Sequence, residues 1–379
     1  MKILFFVENA NLRGGTEILT FNLLSALRDA GKDVYVLSLV PYVGNNPYVL
    51  SLGDKEYAQW RSKSLSLTNK LSFSIPSDRI LRRVLKDIVN KFQPDLLVCQ
   101  TYDLISALPV DYPVAQVFNW SVVGYEASLK NIINRKALVG RIFSSFCEWG
   151  KRLRRHGMLS RIPKLVILTE AAKDEIKSLN AKVRDEQMVV IPDLLVVDKD
   201  SDEHSSLKNG NVSFVGRLSH EKGVMRLLRI WKRVSSELQD LTLSIYGDGD
   251  ARGEMERYIS DHQLKNVIFH GFCNDHEQIY KTSDLLLMTS DTEGFGMVLI
   301  EAMYYGVPCI SFDCPISPKE IIADAGMVVP CFDEYKYAKT VVSSLLSDEY
   351  MQRLQQKSII RARQFYHSTV VAMWLNIFN

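Results

Sequence analysis

The apolar run Asp284-Leu-Leu-Leu-Met-Thr289 is followed at once by Ser290-Asp-Thr-Glu-Gly-Phe-Gly-Met-Val-Leu-Ile-Glu-Ala-Met-Tyr-Tyr-Gly306, and this succession constrains the fold more than any other stretch. Uninterrupted Leu and Met over a strand's length read as a parallel strand buried on both faces. Met297, Ile300 and Met303 then recur at helical spacing, with Gly306 and Pro308 as stop signals. Strand, glycine turn and helix follow in that order. Glycines in such a turn let backbone N–H groups approach a ligand, and the helix N-terminus favours an anion. Glu293 sits in the turn, and Glu301 lies about two helical turns further on. One carboxylate at the mouth and a second along the helix suit a ligand with sugar hydroxyls at one end and a phosphate in the middle. Glu pairs at this separation also arise by chance; the buried strand, Gly294-Phe295-Gly296 and the small-residue helix give this one its weight.

The same alternation runs along the chain. Strands are expected at Ile3–Val7, Val34–Leu39, Asp95–Gln100, Pro113–Phe118, Leu165–Leu168 and Met188–Ile191, with helices at Thr16–Ala30, Arg79–Lys91 and Glu170–Leu179. After Pro192 the composition turns polar, and a linker is expected over 193–210. Asp198, Asp200 and Asp202 alternate like the start of a calcium loop, but the central glycine and terminal Glu are missing, so a solvated linker is expected. Strands resume at Val212–Val215, Leu241–Tyr246, Val267–His270, Cys309–Phe312 and Met327–Val329. Helices fall at Val224–Ser236, Glu254–His262, Tyr337–Leu346 and Tyr350–Tyr366. The expected architecture is α/β: two doubly wound, Rossmann-like domains over 1–192 and 211–360, facing across a cleft, with a C-terminal helix in 361–379 returning to the first.

A chain of 379 residues suits two domains of this size. The formal net charge of +2 does not suggest a nucleic-acid partner. No window approaches the roughly 18–20 apolar residues of a spanning helix. Met1-Lys-Ile-Leu-Phe-Phe-Val reads as a first buried strand rather than a signal peptide. The six cysteines contain no Cys-x-x-Cys pair, and several lie in apolar runs. The expectation is a reduced, cytoplasmic protein without a structural zinc.

Gly216-Arg217-Leu-Ser-His-Glu-Lys222-Gly223 also follows a strand and opens a helix. A glycine turn with two cations fits a diphosphate: Arg offers a fork of donors, Lys a point charge. The plain alternative is a solvated loop. The two segments together, in this order, resemble the Gly-Arg-x-x-x-x-Lys-Gly and Glu-x7-Glu elements of retaining family 4 glycosyltransferases (glycosyl transferases group 1), which have the two-domain GT-B fold. The resemblance covers nearly the whole chain and is most specific in 211–330. It implies a nucleotide-diphosphate sugar donor, UDP-sugar favoured, and transfer with retention. Arg217 and Lys222 would hold the diphosphate, Glu293 the donor sugar hydroxyls and Glu301 the ribose.

Other segments carry the resemblance more weakly. Gly14-Gly15 before a helix looks like the family's N-terminal glycine loop facing the donor; the alternative is a plain tight turn. Tyr246-Gly247-Asp248-Gly249-Asp250 contains an Asp-x-Asp, but after a strand it reads as the family's glycine turn rather than a metal site. No cofactor or metal is expected. His270 and Phe272 fall in a segment resembling the one beside the nucleotide base. Gly294, Phe295 and Gly296 complete the donor set. Asp313–Ile322 resembles the Gly-Pro-Ser-Glu-Ile-Ile loop, with Ser317 and Lys319 as departures. The chief departure is Asn119 on the acceptor side, where many relatives have a histidine. Asn119 can hydrogen-bond a sugar hydroxyl but cannot act as a base.

The segment 130–164 holds ten Lys and Arg against the single acid Glu148, interleaved with apolar residues. It reads as a membrane-surface face, or else as a helix packed on its own domain. The expected partners are therefore a nucleotide sugar, a saccharide or lipid-linked acceptor of cell-surface polysaccharide (capsule, O-antigen or exopolysaccharide), and peripherally the inner membrane surface. Two alternatives stay open: a nucleotide-sugar epimerase or hydrolase on the same fold, and a catalytically silent sugar-nucleotide-binding subunit.

Overall fold

A computed structural model describes residues 1–12, 15–52, 57–58, 76–119, 138–197 and 199–377, with backbone only for helical residues 15–16, 76–80, 138–144 and 146–147. The chain divides into two compact units, Met1–Ile191 with Val371–Asn379, and Pro192–Val370.

The first unit is built on β1 (Lys2–Val7), β2 (Asp33–Ser38), β3 (Val49–Ser51), β4 (Leu96–Cys99), β5 (Val114–Phe118), β6 (Lys164–Ile167) and β7 (Met188–Val190). These pair in parallel in the order β3-β2-β1-β4-β5-β6-β7. The second unit holds β8 (Asn211–Val215), β9 (Thr242–Tyr246), β10 (Val267–Gly271), β11 (Leu285–Met288), β12 (Cys309–Phe312) and β13 (Met327–Val329). Its order is β10-β9-β8-β11-β12-β13, again parallel. Each sheet reverses its winding once, between β1 and β4 and between β8 and β11. At such a point the loops leaving two adjacent strands diverge to opposite faces and open a crevice at the carboxyl ends.

Except for the three-residue β3, the strands form where the apolar runs predict them. β4, β5, β11 and β12 are buried along their whole length, as parallel strands covered on both faces must be. In the second unit Trp231 and Tyr337 are fully buried in the core beside the sheet. The Tyr337 hydroxyl donates to the Ile310 carbonyl at 2.6 Å, which satisfies the one polar atom it brings inside.

Several elements depart from expectation. The helices His276–Lys281 and Pro318–Ile322 are too short to show a period. The second of these falls where a loop was expected, and its Ser317 is wholly buried. The helix expected through Tyr366 ends at Ala362; a 3-10 turn covers Arg363–Phe365 and a new helix runs from His367 to Ile377. The break has a cause. Leu195 N–H donates to Phe365 O at 2.7 Å and His367 N–H to Val197 O at 2.9 Å, so these backbone groups bond to a neighbouring segment instead of to their own helix. On the last helix Trp374 packs against Phe5, ring centroids 6.1 Å apart.

The polar stretch after Pro192 is not simply a solvated spacer. Leu194, Leu195 and Ser205 are buried. Asp200 accepts from Arg363 at 3.0 and 2.6 Å and from the Tyr366 hydroxyl at 2.8 Å. Asp198 lies outside the described residues.

Among the described residues, one arginine of the basic stretch is buried. Residues 138–159 form a helix, and 130–137 lie outside the described residues. Arg155 is not on a solvated face: it is 4% exposed and ion-paired to Asp103 at 3.0 Å and to Glu148. A buried guanidinium requires such partners. Lys151, Arg152, Trp149 and Leu153 are exposed.

Candidate active site

The turns after β8 and β11 lie side by side because their strands are neighbours at the winding reversal. Three contacts join them. Gly223, at φ +66°, comes so close to the Thr289 carbonyl that a Cβ there would lie 1.9 Å from its oxygen. The Thr289 hydroxyl is 3.1 Å from Lys222 O and 3.2 Å from Gly223 O. Asp291 N–H donates to Glu221 O at 2.9 Å.

This seam brings Lys222 to Glu293. The Lys222 ammonium donates to both carboxylate oxygens, at 2.7 and 2.9 Å. Ser290 Oγ donates to the same carboxylate at 2.6 Å. Residues 71 apart in sequence thus form one charged group at the crevice. Arg217 is exposed and carries no ion pair among the described residues.

The turn after β9 packs under the first turn. At Gly247, φ +136°, a Cβ would lie 1.9 Å from the Gly216 carbonyl oxygen, and at Gly249 one would lie 2.3 Å from that of Leu218. Leu218 N–H donates to Asp248 O at 3.0 Å. Gly247, read from sequence as a donor contact, is thus required first for close packing against Gly216. Asp248 accepts from Gly249 N–H at 2.8 Å and stands 4.0 Å from Arg252. Its carboxylate serves the turn.

Glu301 sits on the helix Met297–Tyr304, which begins after Gly296 at φ +92°. The fully buried Tyr280 donates its hydroxyl to Glu301 at 2.9 Å, and His276 Nδ1 lies 3.7 Å away. Burial, and then the Glu301 charge, push the Tyr280 phenol well above its usual pKa, so it remains a donor. Tyr280 and His276 escaped the sequence reading because their helix is only six residues long.

His270 stacks on Tyr246, ring centroids 4.4 Å apart at 10°, with its Nε2 3.1 Å from Ser244 Oγ. Phe272 is 78% exposed. The Phe295 side chain is buried, edge-on to Phe365 at 5.7 Å, so the ring belongs to the core. Gly294 sits between it and Glu293 in the same turn.

In the first unit, Asn119 just past β5 donates to Gln100 Oε1 at 2.6 Å, just past β4. Glu8 follows β1, its pKa raised by desolvation and by the Asp103 and Glu17 carboxylates. A lone Glu after a strand gives no sequence signal. Gly15 opens the helix Gly15–Asp29, while Gly14 lies outside the described residues.

The chain is similar to known proteins. Residues 197–364 match the family model of glycosyl transferases group 1. An uncharacterized glycosyltransferase of Haemophilus influenzae is 24% identical over 384 residues, 99% of each chain. A Campylobacter jejuni enzyme named as an α-1,4-N-acetyl-D-galactosaminyltransferase acting on a diphosphoundecaprenol-linked saccharide is 30% identical over 183 residues, covering 48% of this chain and 51% of that one. The match thus spans about half the length of that relative. Anabaena HepE, solved with UDP and glucose, superposes with a TM-score of 0.71 over 100% of this chain and 99% of its own, at 16% identity. That likeness shows the fold. The chain has the GT-B fold, and its residues 197–364 are similar to the glycosyl transferases group 1 domain.

Proposed function

We propose that this protein is a retaining glycosyltransferase that moves a sugar from a UDP-sugar to a lipid-linked saccharide acceptor in cell-surface polysaccharide synthesis. The observation that carries the proposal is the joined pair of turns at the β8/β11 winding reversal, where Lys222 and Glu293 meet, with Arg217 on the first turn and Glu301 on the helix that follows the second. Cations at the carboxyl ends of parallel strands suit a diphosphate, and carboxylates suit sugar and ribose hydroxyls. Arg217 and Lys222 stabilise the negative charge that builds on the leaving diphosphate. The His270–Tyr246 stack and the exposed Phe272 offer the base a flat apolar neighbour. UDP as the nucleotide finds support in HepE, which binds it, and the acceptor class in the Campylobacter relative's named substrate.

Retention rests on the family resemblance of the two Glu residues. With Asn119 in place of a histidine, the leaving phosphate oxygen takes the acceptor proton. Transfer proceeds without a divalent metal in this reading, because Asp248 is engaged by Gly249 and Arg252 in its own turn. The protein works at the cytoplasmic face of the membrane.

Incubation with a panel of nucleotide sugars and lipid-linked acceptors, with and without chelator, tests the proposal. Transfer from a UDP-sugar, insensitive to chelator, with the donor's anomeric configuration kept in the product by NMR, is the expected result. Release of free sugar or epimerised donor without transfer would instead support the hydrolase or epimerase reading.

A further inference from the structure

Arg226 lies at the junction of the two turns. It lies on the helix Val224–Glu237, three residues past Gly223. Its guanidinium reaches across the seam between the two turns. One Nη donates to the Thr289 carbonyl at 2.7 Å and the other to Asp291 Oδ1 at 2.8 Å. The same guanidinium stacks over the Phe332 ring at 3.9 Å and stands 5.5 Å from that of Phe312. Its side chain is only 15% exposed.

These contacts bracket one residue. Thr289 and Asp291 flank Ser290, whose hydroxyl donates to Glu293. A planar fork with two fixed donors, stacked on an aromatic ring, sets both position and angle, which a lysine's single flexible ammonium cannot do. The charge of Arg226 is compensated by Asp291, so its part is to hold rather than to bind phosphate. We infer that Arg226 is a positioning residue that fixes the turn 289–293, so that Glu293 meets the transferred sugar at a set distance from the diphosphate cations. The inference rests on the donor-sugar role proposed for Glu293.

The test uses the full chain with Arg226→Met, which keeps an apolar stem of similar length, and Arg226→Lys, which keeps the charge but loses the fork. Hydrogen exchange is followed by mass spectrometry in peptides spanning 289–293 and, as a control, β9. Turnover with UDP-sugar and titration with UDP alone are measured alongside. In Arg226→Met, exchange across 289–293 should rise by about tenfold or more while β9 is unchanged. Affinity for UDP should stay within about twofold, whereas sugar transfer should fall by up to about 10²-fold, as displacement by an ångström can cost. Arg226→Lys should fall between. Unchanged exchange in 289–293, or raised exchange with normal transfer, overturns the inference. If Arg226→Met does not fold, Asp291→Ala removes half the clamp from an exposed position and carries the same readouts. A wild type that turns over no nucleotide sugar would overturn the proposed function alone, and the exchange data would still decide whether Arg226 holds the turn.

Discussion

Lys222 Nζ lies 2.7 and 2.9 Å from the two carboxylate oxygens of Glu293, so the cation assigned to the diphosphate and the carboxylate assigned to the sugar form one ion pair. Both are largely shielded, with side chains 29% and 10% exposed. A diphosphate arriving at Lys222 must share that cation with Glu293, while Arg217, on the same turn, is exposed. In the proposed function the two cations therefore meet the donor from different starting positions.

Arg217→Ala and Lys222→Ala should each lose most transfer activity with the fold intact. An under-compensated diphosphate in a water-poor crevice costs about 2–4 kcal/mol of transition-state stabilisation. The measurement is kcat/KM beside a thermal melt. Normal turnover in both variants would sink the assignment.

Glu293→Gln should spare UDP binding, because the change leaves Lys222 with one competitor fewer, yet impair sugar transfer. Glu301→Ala should weaken UDP binding if Glu301 holds the ribose as proposed. Tyr280→Phe, which removes the hydroxyl 2.9 Å from Glu301, should do so more mildly. Calorimetry with UDP and with UDP-sugar separates these cases. Wild-type behaviour in both Glu variants would make the pair a coincidence of spacing.

Asp200 gives a pH signature. Hydrogen bonds from Arg363 and Tyr366 lower its carboxyl from the ordinary 3.8 to about 2. A folded pKa below the unfolded one contributes stability that is present above 3.8 and lost as pH falls through about 2. Asp200→Asn should therefore melt below wild type at neutral pH, and the gap should close across that acidic window. A gap independent of pH would show that the carboxylate charge is not what holds the segment to Arg363.

The helix 138–159 separates two kinds of arginine. Arg155→Glu should destabilise the first unit by about 3–5 kcal/mol, since it strips Asp103 and Glu148 of a buried partner. Lys151→Glu with Arg152→Glu should leave the melt near wild type. If the exposed side of this helix meets an anionic membrane, that pair should release the protein from anionic vesicles, at about 1 kcal/mol per charge and less at high salt. Failure of wild type to sediment with anionic vesicles at low salt would end the membrane reading of this helix.

Much of this was legible in the chain itself. Strand identity followed from apolar runs such as Leu285–Met288, because a parallel strand buried on both faces tolerates nothing else. Helix ends at Gly31 and Gly306 followed from glycines that take positive φ, 78° and 73°. The α/β class and the two turns flanking Arg217, Lys222, Glu293 and Glu301 needed only order and spacing. Three-residue β3 and the short helix carrying Tyr280 had too few residues to show any period. Tertiary structure alone decided the rest, since it concerns distances between segments far apart in sequence. Strand order put the turns after β8 and β11 together, and so paired Lys222 with Glu293 and let Arg226 clamp Thr289 and Asp291. The same kind of contact placed the Phe295 ring and the Arg155 guanidinium in the interior. Composition says what a side chain can do; only its neighbours say whether it faces water, a partner charge or another ring.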